Sequence, residues 1–348
     1  MNEYNKLNKL LKNKKILYIP IYSCFNYQTF KLNFKADGNI NRFLSTFINC
    51  NSYKSITIFE PIDGVDKDWF DDVCHTYLND CKLIECNLIE KSAKVERSIK
   101  FSFDIIDFIK ENNIDLNSFD YIICEAQHLF LRFYNSEFKD KLIYWCPVCA
   151  TNDKTRDFLE PYKEIEKYIF SISKIVILAS NDQVNFFNTI INHGECIQIN
   201  KMIDRKLSIF DYEVNNKIIE YIKSFNNDKN IFLPFRLTDM GYCTQEIIDF
   251  LYNEYKSKNY KVFYSNPNNC DIYRFANNDN NKKAFLDTYF IEVPKNREVF
   301  YSIIDYCNVI IPYFEDLDFI AHSSIFEFEC GNCKVCKTLD NFKELLLS

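Results

Sequence analysis

The chain of 348 residues contains only five glycines, and it lacks any long uncharged apolar run. A membrane-spanning helix needs about 18 or more consecutive apolar residues, so none is expected. The N-terminal segment MNEYNKLNKLLKNKKILYIP has no apolar h-region and no small-residue cleavage site, which argues against a secretory signal. We therefore expect a cytoplasmic protein that does not insert into a membrane.

The scarcity of glycine also removes the common nucleotide-binding loops. The loop FLPFRLTDMGY contains a single glycine, Gly241, so it matches neither the Walker loop nor the G-x-G-x-x-G fingerprint. No pair of carboxylates placed across one sugar, as glycoside hydrolysis requires, is identifiable either. These two kinds of site are therefore not expected.

Apolar and aromatic residues are abundant, at 47% and 17% of the chain, which is enough for two packed cores. Most of the 15 cysteines lie inside apolar stretches such as YIICEAQ, where buried, reduced thiols are the expectation. The net charge of −7 disfavours polyanions in general, but residues 1–60 hold nine basic and three acidic residues. That basic segment is either a solvated helix or a patch for an anionic partner.

Short β-branched and aromatic runs alternate with helical patterns along the chain, which is typical of parallel α/β architecture. Seven strands are predicted before residue 201, at 15–20, 55–61, 82–89, 121–126, 142–148, 175–180 and 196–200. A connector at 201–215 precedes five more, at 230–235, 261–266, 289–294, 308–313 and 334–336. The sequence thus predicts an α/β protein with two Rossmann-like parallel-sheet domains, residues 1–205 and 206–348, whose strands end at a central cleft.

The loop after the first strand of the second domain is suited to binding phosphate. It places four residues at the start of a helix, namely Arg236, Thr238, Asp239 and Gly241. Free N–H groups at a helix N-terminus and a guanidinium together suit a diphosphate. The alternative is that Arg236 only pairs with Asp239 at the surface.

The segment FIEVPKNREVFYSIIDYCNVIIPYFEDLDFIAHSSIFEFECGNCKV follows the order strand, helix, strand, polar loop, acidic helix and strand. This order resembles the C-terminal half of a glycosyltransferase with the two-Rossmann GT-B architecture. The resemblance extends over the whole chain in architecture, but only over about thirty residues in motif. It implies a nucleotide-sugar co-substrate, expected to be a UDP-sugar, and no metal requirement.

The resemblance also implies which residues contact the donor. Glu327 would bind the donor's hydroxyls, and Ser323 and Ser324 would contact its phosphates. The backbone at Val293 would contact the nucleobase, and Arg236 would neutralise the diphosphate. The spacing from Glu327 to Gly331 is one residue shorter than in the family. Glu329 is therefore a second candidate for the role of Glu327.

Transfer with inversion needs a general base for the acceptor hydroxyl, and in this architecture we expect it in the first domain. Glu125 and His128 lie just past the carboxyl end of the strand YIIC, and Asp37 lies on a loop ahead of a helix. Glu125 and Asp37 are equal candidates, and His128 ranks behind them. For each residue, ordinary loop or capping duty is the alternative.

The stretch YIPIYSCFNYQTFKLNFKADGNINR is rich in aromatic and basic residues, which can stack on bases or sugars and neutralise phosphates. The candidate acceptor contacts are Tyr22, Asn26, Tyr27, Lys31, Lys35 and Arg42. In size and two-domain plan the chain resembles viral and phage DNA glucosyltransferases, which implies a hydroxymethylated pyrimidine in DNA as acceptor. A surface or viral glycan is the alternative acceptor.

Two interpretations from other classes stay open. A non-catalytic nucleotide-binding protein could keep the two-Rossmann shell. Cys146 and Cys149, together with Cys330, Cys333 and Cys336, have the Cys-x-x-Cys spacing of a metal site. These two groups belong to different predicted domains, however, so a shared metal site is not expected.

Overall fold

The computed structural model describes residues 4–20, 46–60, 67–86, 94–146, 160–178, 181–199, 213–234, 237, 243–266, 269–313 and 331–348. The chain divides into two compact units, Met1–Ile209 and Phe210–Ser348, which we call unit 1 and unit 2. The domain boundary predicted between residues 205 and 206 lies outside the described residues. Each unit is built on one sheet of parallel strands with helices, which confirms the predicted α/β fold class.

Unit 1 has a seven-stranded sheet in the order β3-β2-β1-β4-β5-β6-β7, and every strand pair in it is parallel. The strands are β1 Lys15–Ile19, β2 Ser55–Glu60, β3 Cys81–Glu85, β4 Tyr121–Cys124, β5 Leu142–Cys146, β6 Ile175–Leu178 and β7 Glu195–Gln198. This is the Rossmann order, in which successive strands are added toward one edge of the sheet up to β3 and toward the other edge from β4 onward, so that the strand order reverses between β1 and β4.

The sequence explains why these strands lie in the interior. β1, β4, β5 and β6 read KILYI, YIIC, LIYWC and IVIL, and nearly all of their residues are buried. Continuous apolar runs, rather than alternating ones, are what a parallel sheet with both faces covered requires.

Besides residues 46–49, which are helical, the described part of unit 1 contains six helices, the first before β1 and each of the others between two strands. They are α1 Tyr4–Leu11, α2 Lys67–Tyr77, α3 Lys94–Glu111, α4 Gln127–Tyr134, α5 Glu160–Ile172 and α6 Asn181–Phe187, with 3₁₀ turns at Leu116–Ser118 and Lys139–Lys141. On α1 the apolar side chains Tyr4, Leu7 and Leu11 are buried, as the amphipathic pattern requires.

Unit 2 repeats the same plan with five parallel strands in the order β10-β9-β8-β11-β12. The strands are β8 Lys229–Leu233, β9 Tyr260–Ser265, β10 Phe290–Val293, β11 Ile310–Pro312 and β12 Lys334–Cys336. The helices are α7 Asn216–Ser224, α8 Thr244–Phe250 with a π-helical extension Leu251–Tyr255, α9 Asn280–Tyr289, α10 Arg297–Tyr306 and α11 Leu339–Leu347, with a 3₁₀ turn at Ile272–Ala276. None of the helices described in either unit is long and apolar enough to cross a bilayer.

Every one of the twelve predicted strand segments overlaps a strand of the structure. The connector at 201–215 and the acidic helix predicted at IFEFEC fall largely or wholly on residues that are not described. The predicted Gly-Asn turn is present: Gly331 and Asn332 lead directly into β12. A Cβ on Gly331 would lie 2.9 Å from the backbone oxygen of Ile304, so close packing against α10 accounts for this glycine.

Asparagine takes over the backbone role that glycine usually fills. Eight asparagines in the described residues have positive φ angles of 47 to 65°. Four of them lie two residues beyond the end of a helix, after α1, α3, α7 and α10, and these are Asn13, Asn113, Asn226 and Asn308. Asparagine tolerates the left-handed conformation of a helix C-terminus better than most side chains. The chain therefore ends many helices without needing glycine.

Candidate functional site

The strand order defines where a site is expected in each unit. Ligands of open α/β sheets bind beyond the carboxyl ends of the strands, at the point where the strand order reverses. In unit 1 that point lies between β1 and β4, and in unit 2 it lies between β8 and β11. The loops that leave β1, β8 and β11 fall largely outside the described residues, so the described site consists of what surrounds them.

Glu125 occupies the reversal point of unit 1. It directly follows β4, and its backbone N–H donates to the carbonyl oxygen of Ile19 at 3.2 Å, which continues the pairing of β1 with β4. Its side chain is buried, with 5% of the residue exposed. The carboxylate accepts a hydrogen bond of 2.7 Å from the hydroxyl of Tyr18.

Tyr18 is held in place by a cluster of buried aromatic rings. Its ring centroid lies 5.7 Å from that of Phe47 and 5.6 Å from that of Trp145, and all three residues are fully buried. Phe47 and Trp145 also contact each other, with centroids 6.0 Å apart. Because Tyr18 has little freedom to move, the Glu125 carboxylate that it binds is also fixed in direction.

His128 lies in the first turn of α4, three residues after Glu125, and is half-buried. Burial lowers the pKa of His128 below its ordinary value of 6.5, and the positive charge of Arg132 lowers it further. The imidazole is therefore neutral at neutral pH and is able to accept a proton.

Two further buried carboxylates lie near the carboxyl edge of the same sheet, and sequence reasoning missed both. Glu60 is the last residue of β2 and is fully buried. The burial of the Cys86 thiol, and secondly the negative charge of Glu60, raise the pKa of Cys86 to about 12. Glu166, on α5, is also fully buried. It accepts hydrogen bonds from Gln127 at 3.2 Å and from the thiol of Cys146 at 3.3 Å.

The sequence offered a signal for one of these two residues only. Glu60 is the last residue of a strand, and Glu125 directly follows one. A search for acidic residues at the carboxyl ends of predicted strands would therefore have identified Glu60 as well as Glu125. Glu166 stands in the run KEIEK, which has the appearance of a solvated helix face. Nothing local distinguishes it from Glu164, which is exposed and pairs with Lys167.

In unit 2, Val293 is the last residue of β10 and is buried, paired in register with Ser265 at the end of β9. The hydroxyl of Ser265 is buried and makes no hydrogen bond within the part of the chain that the structure describes. The neighbouring Asn266 closes the following turn, since its amide donates to the carbonyl oxygen of Cys270 at 3.0 Å and accepts from its N–H at 2.9 Å.

The other predicted site residues lie outside the described residues. They are the candidate base Asp37, the donor candidates Arg236, Thr238, Asp239, Gly241, Ser323, Ser324, Glu327 and Glu329, and the acceptor candidates Tyr22, Asn26, Tyr27, Lys31, Lys35 and Arg42. The structure brings Glu125 and His128 onto one edge of unit 1 and sets Val293 at the corresponding edge of unit 2.

The cysteines with metal-site spacing are only partly described. Cys336 ends β12 and is buried, and burial raises the pKa of its thiol to about 11. Cys146 ends β5 and donates to Glu166. A protonated thiol is a poor metal ligand, so neither environment favours metal binding. Cys149 and Cys330 lie outside the described residues.

The basic N-terminal segment includes helix α1, whose polar face is exposed to solvent. Lys9 and Lys12 are exposed, while Lys6 and Lys14 form surface ion pairs with acidic residues of unit 1, with N···O distances of 3.7 and 3.4 Å. Exposed pairs of this kind contribute little to stability. Part of the positive charge that suggested an anionic partner is thus already neutralised.

Two parallel α/β units, each with the Rossmann strand order, make up the GT-B fold, and this is the fold of the chain. No protein-family model matches the sequence. No curated protein matches it either.

Solved structures match along nearly the whole chain. HepE of Anabaena in complex with UDP-glucose is 10% identical with a TM-score of 0.55, covering 96% of this chain and 89% of HepE. Arabidopsis thaliana UGT89C1 in complex with UDP-L-rhamnose is 12% identical with a TM-score of 0.55, covering 97% and 82%. A UDP-glucosyltransferase from Polygonum tinctorium capable of glucosylating indoxyl is 8% identical with a TM-score of 0.51, covering 96% and 82%. At these identities the likeness is one of fold.

The lowered pKa of His128 predicts a pH dependence of stability. Because the folded state disfavours the imidazolium, this contribution is present above pH 6.5 and is lost as the pH falls below it. We expect the stability of the native chain to decrease more between pH 7.5 and 5.5 than that of the His128→Gln variant. Urea unfolding of both proteins at the two pH values measures the difference. Equal pH dependence in the two proteins would show that His128 is not destabilised as an imidazolium.

Proposed function

We propose that the chain is a glycosyltransferase that moves a sugar from a UDP-sugar to an acceptor hydroxyl. The observation that carries the proposal is the match in fold over 96–97% of the chain to HepE and UGT89C1, whose structures contain UDP-glucose and UDP-L-rhamnose. Fold alone does not define an activity, so the individual residues have to support it.

Unit 2 is the proposed donor-binding unit. β8 leads into the predicted diphosphate loop, and it pairs with β9 so that Leu233 lies beside Tyr264. The next residue of β9 is Ser265, whose buried hydroxyl has no hydrogen-bond partner among the described residues. A buried hydroxyl without a partner costs about 1–3 kcal/mol, so a ligand oxygen or N–H at this strand end would relieve that cost. This supports a polar ligand at the carboxyl edge of the sheet.

Glu125 is the proposed general base. As the acceptor oxygen forms its bond to the anomeric carbon of the sugar, the acceptor's proton passes to the Glu125 carboxylate. The bond from that carbon to the phosphate oxygen breaks, and its electron pair leaves with UDP. Tyr18 is a positioning residue, because its hydrogen bond directs the carboxylate. Asp37 is the equal alternative as base, and His128, neutral at pH 7, is the next.

The charge that develops on the leaving diphosphate has to be stabilised without help from the base. Arg236 and the N–H groups at the start of the helix that follows are the proposed source of positive potential. Glu327 is proposed to bind hydroxyls of the donor, with Glu329 as its rival. We propose that this arrangement does not require a metal ion.

The proposed acceptor is a hydroxymethylated pyrimidine in DNA. Its support is the cluster of aromatic and basic residues between 22 and 42 and the exposed Lys9 and Lys12. The overall charge of −7 and the ion pairs of Lys6 and Lys14 weigh against it, and a glycan acceptor is the alternative.

Replacing the proposed base should separate catalysis from donor binding. For Glu125→Gln we expect kcat of sugar transfer to fall by about 100-fold or more, with UDP affinity unchanged in calorimetry. Tyr18→Phe should lower kcat about tenfold and leave KM for the donor unchanged, because it loosens the carboxylate without removing it. Glu137→Gln, an exposed acid after α4, is the matched control and should behave as the native protein does. Native-like kcat in Glu125→Gln would shift the role to Asp37 or His128.

The two donor-binding glutamates can be told apart by a matched pair of variants. We expect Glu327→Ala to weaken UDP-glucose binding by about 10-fold or more, while Glu329→Ala changes it less than about twofold. Arg236→Ala should weaken UDP binding by at least the same factor, because a charge-assisted contact to the diphosphate is lost. Calorimetry with UDP and UDP-glucose gives the affinities, and circular dichroism checks the fold. Native affinity in all three variants would contradict the donor assignment as a whole.

A DNA acceptor predicts a steep salt dependence. Retention on a hydroxymethylated duplex should weaken by about 10-fold or more between 50 and 200 mM salt, since each neutralised phosphate releases counterions. The same duplex without hydroxymethyl groups should be retained in a similar way but should accept no sugar in a transfer assay read by mass spectrometry. Absence of retention, or a flat salt response, would transfer the proposal to a glycan acceptor.

A further inference from the structure

Unit 1 contains a cavity away from the candidate site. It has a volume of about 620 Å³ and lies between the C-terminal half of α3, the 3₁₀ turn Leu116–Ser118, the last turn of α4 and the turn that follows α4. The 3₁₀ turn comes just before β4, and the turn after α4 leads to β5, so the cavity lies at the amino edge of the sheet. Glu125 lies at the opposite, carboxyl edge.

The cavity has both apolar and polar walls. Six of its lining residues are buried or half-buried hydrophobic side chains, Ile106, Ile109, Ile114, Leu116, Phe133 and Phe138. The other six of the twelve lining residues are polar or charged, and a volume of this size with both kinds of side chain is typical of sites for small organic ligands. The apolar side chains favour a ligand with an apolar body.

Arg132 supplies a fixed positive charge at the wall of this cavity. Its Nε donates to the hydroxyl of Ser102 at 2.8 Å, and its guanidinium carbon lies 3.4 Å from the centroid of the Phe103 ring. These two contacts orient the half-buried guanidinium, yet Arg132 forms no ion pair with any residue that the structure describes. A half-buried guanidinium without a carboxylate partner is a ready binding group for an anion.

The other charged groups at the cavity, Lys110 and Asp115, are exposed to solvent, whereas Arg132 is half-buried. Lys110 lies 3.8 Å from the carboxylate of Asp107 on the same helix turn. The carboxylate of Asp115 accepts the N–H of Asn117 at 2.9 Å and caps the 3₁₀ turn. Arg132 is therefore the charge that selects the ligand.

We propose that this cavity binds a small amphipathic carboxylate, with its apolar body against the α3–α4 walls and its carboxylate on Arg132. This site is independent of the proposed transfer reaction, since none of its lining residues belongs to the candidate catalytic or donor sets. Its Arg132 does lie one helical turn after His128 on α4, and the Arg132 charge lowers the pKa of His128. A carboxylate on Arg132 would neutralise that charge, so ligand binding should raise the pKa of His128.

Octanoate and 1-octanol form a matched pair of probes, with the same apolar chain but a charged or a neutral head. We expect the native protein to bind octanoate with a Kd below about 1 mM in calorimetry, and more tightly than 1-octanol. Arg132→Met should weaken octanoate binding about tenfold while changing 1-octanol binding less than about twofold. The His128 resonance in NMR should titrate at higher pH when octanoate is bound.

Variants that fill the cavity or remove a charge outside it complete the test. Ile106→Trp and Ile109→Trp should abolish binding of both probes, and the half-buried position of Ile106 makes it the variant more certain to fold. Lys139→Met removes an exposed charge that does not line the cavity and should change neither affinity. Equal losses of octanoate and 1-octanol in Arg132→Met, or no octanoate binding by the native protein up to about 1 mM, would overturn the proposal.

Discussion

A parallel sheet that is covered on both faces forces every polar group at its strand ends to find a partner inside the protein. In unit 1 this constraint is met where β1 and β4 lie side by side. The carboxylate of Glu125 would be costly to bury alone, but the hydroxyl of Tyr18 donates to it at 2.7 Å. Packing of Tyr18 against Phe47 and Trp145 then makes this hydrogen bond rigid. The same contacts that stabilise the core therefore aim a carboxylate at the point where ligands of such sheets bind.

Scarcity of glycine shapes both units in a related way. Nucleotide-binding loops of the usual glycine-rich kind are missing, and helix ends that commonly use glycine use asparagine instead, as at Asn13, Asn113 and Asn226. A phosphate bound by such a chain has to be recognised by side chains and helix N-termini rather than by a glycine-rich backbone cradle. Where glycine does occur, as at Gly331 against Ile304, tight packing explains it without any ligand.

The sequence predicted the fold more completely than the site. All twelve strands were predicted because runs such as LIYWC and IVIL are apolar, β-branched or aromatic and short, which indicates buried parallel strands without any knowledge of their neighbours. Glu125 was put forward as a candidate base from its place after a strand, and that role stays a prediction. Tyr18 was not assigned a role, because its hydroxyl meets Glu125 only through the pairing of strands 107 residues apart. Glu166 was missed since its burial depends on how α5 packs, which the run KEIEK does not reveal.

Helix α4 connects the two proposed sites of unit 1. It begins two residues after Glu125, presents His128 in its first turn and carries Arg132 in its last turn, at the cavity on the other edge of the sheet. Its apolar residues Leu129, Phe130 and Phe133 are buried, so the helix is held along its length. A charge placed on Arg132 acts on His128 across one helical turn, and this requires no movement of the backbone. Electrostatic coupling through a rigid helix is thus the simplest route by which a ligand at the amino edge would alter proton affinity at the carboxyl edge.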